Sequence, residues 1–418
     1  MKKILLNPSQ IVTVNTNGKN LKRGEELADI EVLTEHSIVT EDEIIKDIIP
    51  NSKVNKYKFD LIIDVKNKTI LPGLVECHTH TAFIGSRANE FILRTQGLQY
   101  EQIANQGGGI LSTVKSVRNA SYDDLIAAIK PKINNFIQQG ITTLEIKSGY
   151  GLSYYDEIKL LQVINHFRKT EAIDIVPTFL GAHTFPLEYK NEQEKYIELI
   201  NKQILPFISK NKLAEFCDAF CEKTAFNPKQ ISSIFNKALE FGLKLKLHTD
   251  QFHSIGGINL TSDYKITSVD HLEAVTEEGI NKISKSDTAV VLLPGVSFFL
   301  DYEYAPARKL IDSNAIIALS TDYNPGSSNI QNLSLIFDLA LIKMKMKPEE
   351  IISAYTINAA KALDRNKIIG SIEIGKQADF SVFDVENYNE IFYNIGQNTC
   401  NMTIKKGNII YKKNEKVL

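Results

Sequence analysis

The chain has 418 residues, 43% of them hydrophobic, with 48 basic and 50 acidic side chains and a formal net charge of −2. That is enough apolar sequence for a large core, and too even a charge to call for nucleic acid or an anionic membrane as partner. No apolar run reaches bilayer length, the stretch after the basic start is too short for a secretion signal, and Cys77, Cys217, Cys221 and Cys400 form no CxxC pair, which suits a reducing cytoplasm.

Residues 1–70 read as short strands (KILLNPSQIVTV, FDLIIDV) broken by Asn, Gly and Lys. From residue 71 short apolar strands alternate with longer amphipathic helices. The candidate strands are 74–80, 142–148, 175–184, 215–222, 243–248, 266–271, 289–294 and 315–322. Between them, Ser121 opens a helical pattern (Ile129, Ile133, Phe136, Ile137) that Pro131 should kink or split. Ser153 and Asp156 form a capping pattern ahead of Leu160, Leu161, Ile164 and Phe167. Asn227-Pro228 begins another helix, which Gly242 stops. Lys343–Lys347, alternating with Met, reads as a solvated helix face. Residues 368–418 return to short strands with no room for crossover helices. Eight buried strands with covering helices predict an α/β fold, a (β/α)8 TIM barrel over 71–367. The two ends, 1–70 and 368–418, predict one small β-sandwich beside it.

The chemistry begins in residues 71–90, LPGLVECHTHTAFIGSRANE. Side chains two apart on a strand share a face, so His78 and His80 point together at a strand's C-terminal end, where barrel active sites form. Other strand ends supply more: His248 closes LKLKLH, His271 closes ITSVDH, and Asp322 closes AIIALSTD. Imidazoles and a carboxylate gathered from four strands are the donor set of a catalytic Zn²⁺ or iron site. A chance set of core histidines would have to repeat on each of those strands. Cys217 and Cys221 read as small buried fillers. The Gly107-Gly108-Gly109 run lacks the lysine of a phosphate loop and reads as a flexible segment near the site.

PGLVECHTH after IIDV, with GSIEIGKQADFSVFD near the C-terminus, resembles the amidohydrolase superfamily. SRANEFILRTQGLQYEQIANQGGGILSTV, LEIKSGYGLS, GAHTFP, KLHTDQF, VDHLEAV and STDYNPGSSN resemble the imidazolonepropionase family within it, in order and over nearly the whole chain. The resemblance implies a hydrolase of histidine metabolism acting on a cyclic amide C–N bond. It would convert 4-imidazolone-5-propanoate to N-formimidoyl-L-glutamate by attack of metal-bound hydroxide on the ring carbonyl. It implies one Zn²⁺ or iron ion per subunit held by His78, His80, His248 and Asp322, with Asp322 moving the water's proton to the leaving nitrogen. His271 would orient that water or polarise the carbonyl. Arg87 would pair with the propionate carboxylate, and Tyr100 would reach it too. Tyr150, His183, Gln251, Asn324, Gly326 and Ser327 would contact substrate. A homodimer in the cytoplasm is also implied, with a small molecule and no nucleic acid or membrane as partner.

Two positions separate this reading from its neighbours. Related cyclic deaminases resemble His-x-x-Glu after the fifth strand, where this chain has His248-Thr249-Asp250-Gln251. Glutamine hydrogen-bonds but cannot shuttle a proton near neutral pH. Binuclear relatives place a carbamylated lysine at the end of strand four, and Lys223 falls one or two residues beyond that place, which favours a single metal.

Overall fold

The computed structural model describes residues 1–98 and 108–415. Its centre is an eight-stranded, all-parallel sheet built in sequence order from Leu74–Glu76, Ile141–Lys147, Asp174–Ala182, Phe216–Cys221, Lys244–Thr249, Ile266–His271, Ala289–Leu292 and Ile316–Leu319. Every candidate strand has its counterpart here. Nearly every residue in these strands is buried, because helices cover one face and the other faces its own kind across the barrel. The first and eighth strands meet beyond their ends, where the His80 N–H donates to the Tyr323 carbonyl at 3.0 Å and Thr79 bridges Tyr323.

The covering helices begin where local chemistry satisfies their free N–H groups. Ser153 accepts from Asp156 N at 3.1 Å to open Tyr154–Thr170, and Asn227 accepts from Gln230 N at 3.0 Å to open Pro228–Glu240. Gly242 ends the latter turn with φ +76°. Two expectations about elements need correction. Tyr122–Ile137 runs as one helix through Pro131, so the proline does not split it. The proline lies on the exposed face, where water can take the carbonyl it leaves without a donor. Lys343–Lys347 is not a helix face either: the helix ends at Ile342, and Met344 and Met346 are buried while the lysines between them are exposed. The chain turns here, with Lys343 still helical and Lys345 in the left-handed region at φ +58°, and that turn alternates the burial.

The termini form two sheets. One has four strands in the order Ile44–Pro50, His36–Glu41, Lys2–Leu6, Leu61–Asp64; the other has six, Asn408–Lys412, Cys400–Lys405, Phe380–Phe383, Thr69–Pro72, Gln10–Val12, Val32–Leu33. Leu5, Ile38 and Ile63 from the first pack with Ile11, Ile70, Phe380, Val382, Met402 and Ile404 from the second. This layer joins the barrel through Ser381, whose hydroxyl donates to Gly140 O at 2.6 Å and accepts from Leu74 N at 3.0 Å. Gly140 has φ +95°, and a Cβ there would sit 2.9 Å from Ser381, so the approach depends on glycine. All four cysteines are buried and free, as fillers should be.

Candidate active site

The first strand's ladder ends at Glu76, yet its alternation continues. His78 N donates to Ser320 Oγ at 2.8 Å and Lys147 N to Thr79 O at 3.0 Å, so His78 and His80 keep a common direction with ring centroids 5.4 Å apart. His248 comes from strand five and His271 from the last position of strand six. Asp322 lies three residues past strand eight, in a left-handed conformation with φ +49°. Non-glycine residues with positive φ gather at this end of the barrel: Asp250, His271, Leu272 and Asp322. Such strain is held at functional sites by the packing around it.

The side chains converge at the barrel mouth. Asp322 Oδ1 lies 3.3 Å from His78 Nε2 and 3.2 Å from His80 Nε2, and His248 Nε2 lies 3.3 Å from His80 Nε2. His78, His248 and His271 form a second set whose nitrogens lie within 4.8 Å of one another. Donors bound at about 2.0–2.1 Å to one tetrahedral ion stand roughly 3.3 Å apart. His78 Nε2 and Asp322 Oδ1 are buried without a hydrogen-bond partner among the described residues. Burial, opposed by Asp218, brings His248 down to about 3, and burial also lowers His80 and His183, so these rings are neutral near pH 7 with lone pairs to give. Facing lone pairs repel unless a cation lies between them. The donor set fits a metal ion.

Carboxylates behind the histidines fix their other nitrogens. His78 Nδ1 contacts Asp270 at 2.6 Å and His248 Nδ1 contacts Asp218 at 3.1 Å, which turns each Nε2 toward the site. Burial opposes protonation of His78, but Asp270 and Asp322 on either side raise its pKa: the pair of carboxylates demands positive charge between them. Below lies a layer of ion pairs that sequence reading missed. Lys147 Nζ bonds Glu145 at 2.8 Å and Asp218 at 2.9 Å; Lys246 Nζ bonds Glu145 at 2.9 Å and Cys77 O at 2.8 Å. All these side chains are fully buried. Within this connected network Lys147 and Lys246 face Glu145, Asp218 and Asp270, and Asp322 adds a further carboxylate on the far side of His78, so acids outnumber lysines and a bound cation would offset the excess. Their signal was present in the sequence, as single charges inside otherwise apolar strands (LEIK, FCDAF, KLKLH). Glu76, gripped by the Ser320 and Tyr355 hydroxyls, is pushed up by burial to about 7.

Above the donors opens a cavity of ≈ 260 Å³, a volume for a small molecule. Arg87, Tyr150, His183, Gln251, His271, Asn324, Gly326 and Ser327 all line it, with His80, His248 and Asp322 at its floor. Tyr100 lies outside the described residues, as does Gly107, while Gly108 and Gly109 line the cavity. His183 stacks on His80 with centroids 5.1 Å apart and is steered by a 3.0 Å contact of Nδ1 with Gly149 O. The loop carrying Tyr150 wraps the buried carboxylate of Glu157, which accepts from Gly151 N at 2.8 Å, Leu152 N at 2.9 Å and Gly149 N at 3.2 Å. Arg87 is aligned by Glu90, which accepts from Nε at 2.8 Å. Asn324 spends its side chain on its own loop: Oδ1 accepts from Gly326 N and Ser327 N, and Nδ2 donates to Asp322 Oδ2 at 3.0 Å. Lys223 is exposed, whereas the donor side chains are buried.

The profile of the Amidohydrolase family matches residues 69–410. The imidazolonepropionase of Clostridium tetani is 42% identical over 414 residues, covering 98% of each chain, and that of Thermoanaerobacter pseudethanolicus is 48% identical over 343 residues, 82% of this chain and 83% of its own. The chain belongs to the imidazolonepropionases of the amidohydrolase family. Among solved structures, an adenosine deaminase from Xanthomonas campestris with bound zinc superposes with TM-score 0.74 at 16% identity, covering 99% of this chain and 94% of its own. E. coli guanine deaminase gives 0.74 at 15%, covering 99% and 100%. At that identity the likeness is one of fold: the TIM barrel with added terminal sheets. An imidazolonepropionase is a hydrolase, and the buried His and Asp groups of this one agree with a metal cofactor.

Proposed function

We propose that this chain hydrolyses the ring amide of 4-imidazolone-5-propanoate to N-formimidoyl-L-glutamate, using one Zn²⁺ or iron ion held by His78, His80, His248 and Asp322. The observation that carries the reading is the set of 3.2–3.3 Å approaches among those donors at the floor of a cavity with Arg87 on its wall. The ion supplies Lewis-acid polarisation of the carbonyl and makes water acidic enough to attack near neutral pH. The chain's own residues do the rest. Arg87 pairs through its planar fork with the propionate carboxylate and sets the ring's register. Tyr150 and His183 flank the ring, Gln251 hydrogen-bonds its polar edge, and Gly326 and Ser327 offer backbone and hydroxyl groups. Asp322 takes a proton from the attacking water and returns it to the ring nitrogen as the C–N bond breaks. His271 orients the water or polarises the carbonyl. Asn324 holds Asp322 in place. Residues 1–70 with 368–418 act as the β-sandwich domain and 71–367 as the catalytic barrel, in a cytoplasmic homodimer.

The test follows loss of imidazolone absorbance on a sample of measured metal content. Turnover with about one equivalent of metal per chain supports the reading. His248→Ala is expected to lose metal and activity together. A metal-loaded protein without turnover, or two tightly held equivalents, would overturn it.

A further inference from the structure

We infer that Glu273 is a positioning residue for His271: its carboxylate accepts the His271 Nδ1–H and turns the Nε2 lone pair into the cavity. The inference rests on the reading of His271 as a catalytic group. Three observations carry it.

The Glu273 side chain is 2% exposed, and both its oxygens are buried without a hydrogen-bond partner among the described residues. Burying a carboxylate in that state is costly, so its placement calls for an explanation. Its Oε2 stands 3.6 Å from His271 Nδ1, which is buried and equally without a partner. A small ring rotation would close that gap, and catalytic hydrogen bonds are often long until substrate binds.

The backbone is bent to make this meeting. Strand six leaves through two consecutive left-handed residues, His271 at φ +88° and Leu272 at φ +70°. Neither is glycine, so each stores backbone strain that the surrounding structure must hold. The bend is held by Leu272 N on Thr249 O at 3.3 Å and Ala274 N on Asp250 O at 2.7 Å. It folds residue 273 back against the ring at 271.

The same device appears twice in the neighbouring rings. Asp270 holds His78 by Nδ1 and Asp218 holds His248 by Nδ1, and both rings present Nε2 to the site. Glu273 would be the third such acid. It matters more at His271, because Gln251 beside it in the cavity cannot exchange a proton near neutral pH.

The experiment compares Glu273→Gln and Glu273→Ala with the parent in the zinc-loaded enzyme. Steady-state kinetics, metal content, thermal midpoint and the ¹⁵N spectrum of labelled histidines are measured. For Glu273→Ala, kcat is expected to fall by about 10–100-fold, with KM and metal content unchanged. The midpoint should hold or rise, since a buried charge is removed. The His271 signal, Nδ1–H in the parent, should become a mixture of tautomers, and Glu273→Gln should fall between. Parent-like kcat and tautomer in Glu273→Ala would overturn the inference, as would a fall in metal content or midpoint large enough to account for the lost rate. His271→Asn separates the two levels. If it keeps full kcat, the catalytic reading of His271 fails; if it is inactive while Glu273→Ala is unaffected, only the role of Glu273 fails.

Discussion

At the scale of single residues, the cavity wall shows one group prepared by its neighbours. Arg87 is gripped by Glu90, and Glu90 also accepts from Gly109 N at 3.0 Å, which ties the arginine to the start of the helix Ile110–Asn119. Gly326 leaves room for it: a Cβ there would lie 2.0 Å from Arg87 Nη1. The sequence reading gave Gly326 a backbone contact with substrate, and the structure adds this seat for the guanidinium. Because the obstructed atom is the tip of a flexible side chain, Gly326→Ala should displace Arg87 without unfolding the barrel. The expected result is a KM raised roughly tenfold, about 1.4 kcal/mol, with thermal midpoint and metal content unchanged. Arg87→Ala should raise KM further while lowering kcat less. Equal falls in kcat and kcat/KM for Arg87→Ala would mean the guanidinium acts on the transition state instead.

At the scale of elements, caps and loops decide how side chains meet. The helix Tyr154–Thr170 sends Glu157 back to collect the N–H groups of Gly149, Gly151 and Leu152, so one covering helix sets the height of Tyr150 between them. Glu157→Ala would leave those donors buried and unsatisfied, at a cost of about 1–3 kcal/mol. It should lower the thermal midpoint and raise KM together, and an unchanged KM would show that the loop is held by other contacts. Periodicity placed every barrel strand, because strands buried on both faces leave continuous apolar runs between Gly- and Pro-marked turns. It misjudged Pro131, whose cost depends on which face of the helix meets water. It also misread 343–347, where a short alternation of Lys and Met carries too few residues to separate a turn from a helix. The left-handed turn at His271 and Leu272 left little signal, since leucine does not favour that conformation and histidine, though enriched there, adopts it only occasionally.

At the scale of the whole molecule, the barrel is an ion lattice topped by a donor cluster, and its stability is linked to what binds there. Stripping a bound metal with a chelator would leave the excess of buried carboxylates in that network uncompensated. The thermal midpoint should fall, and returning metal should restore it, with about 4 kcal/mol regained at a thousandfold excess over Kd. A midpoint indifferent to chelation and restoration would deny that charge balance. The sequence by itself determined the strand count and the family, and it singled out His78, His80, His248 and Asp322 as the candidate donors that the structure brings together. Strand alternation and strand-end position are local properties, and the matched blocks are contiguous. Only the tertiary structure decided that Lys147, Lys246, Glu145, Asp218 and Asp270 lie in one buried network, that Glu157 carries the Tyr150 loop, and that Glu273 faces His271. Those pairings join residues that local patterns cannot connect, and barrel closure or a strained turn is what brings their charges within reach of one another.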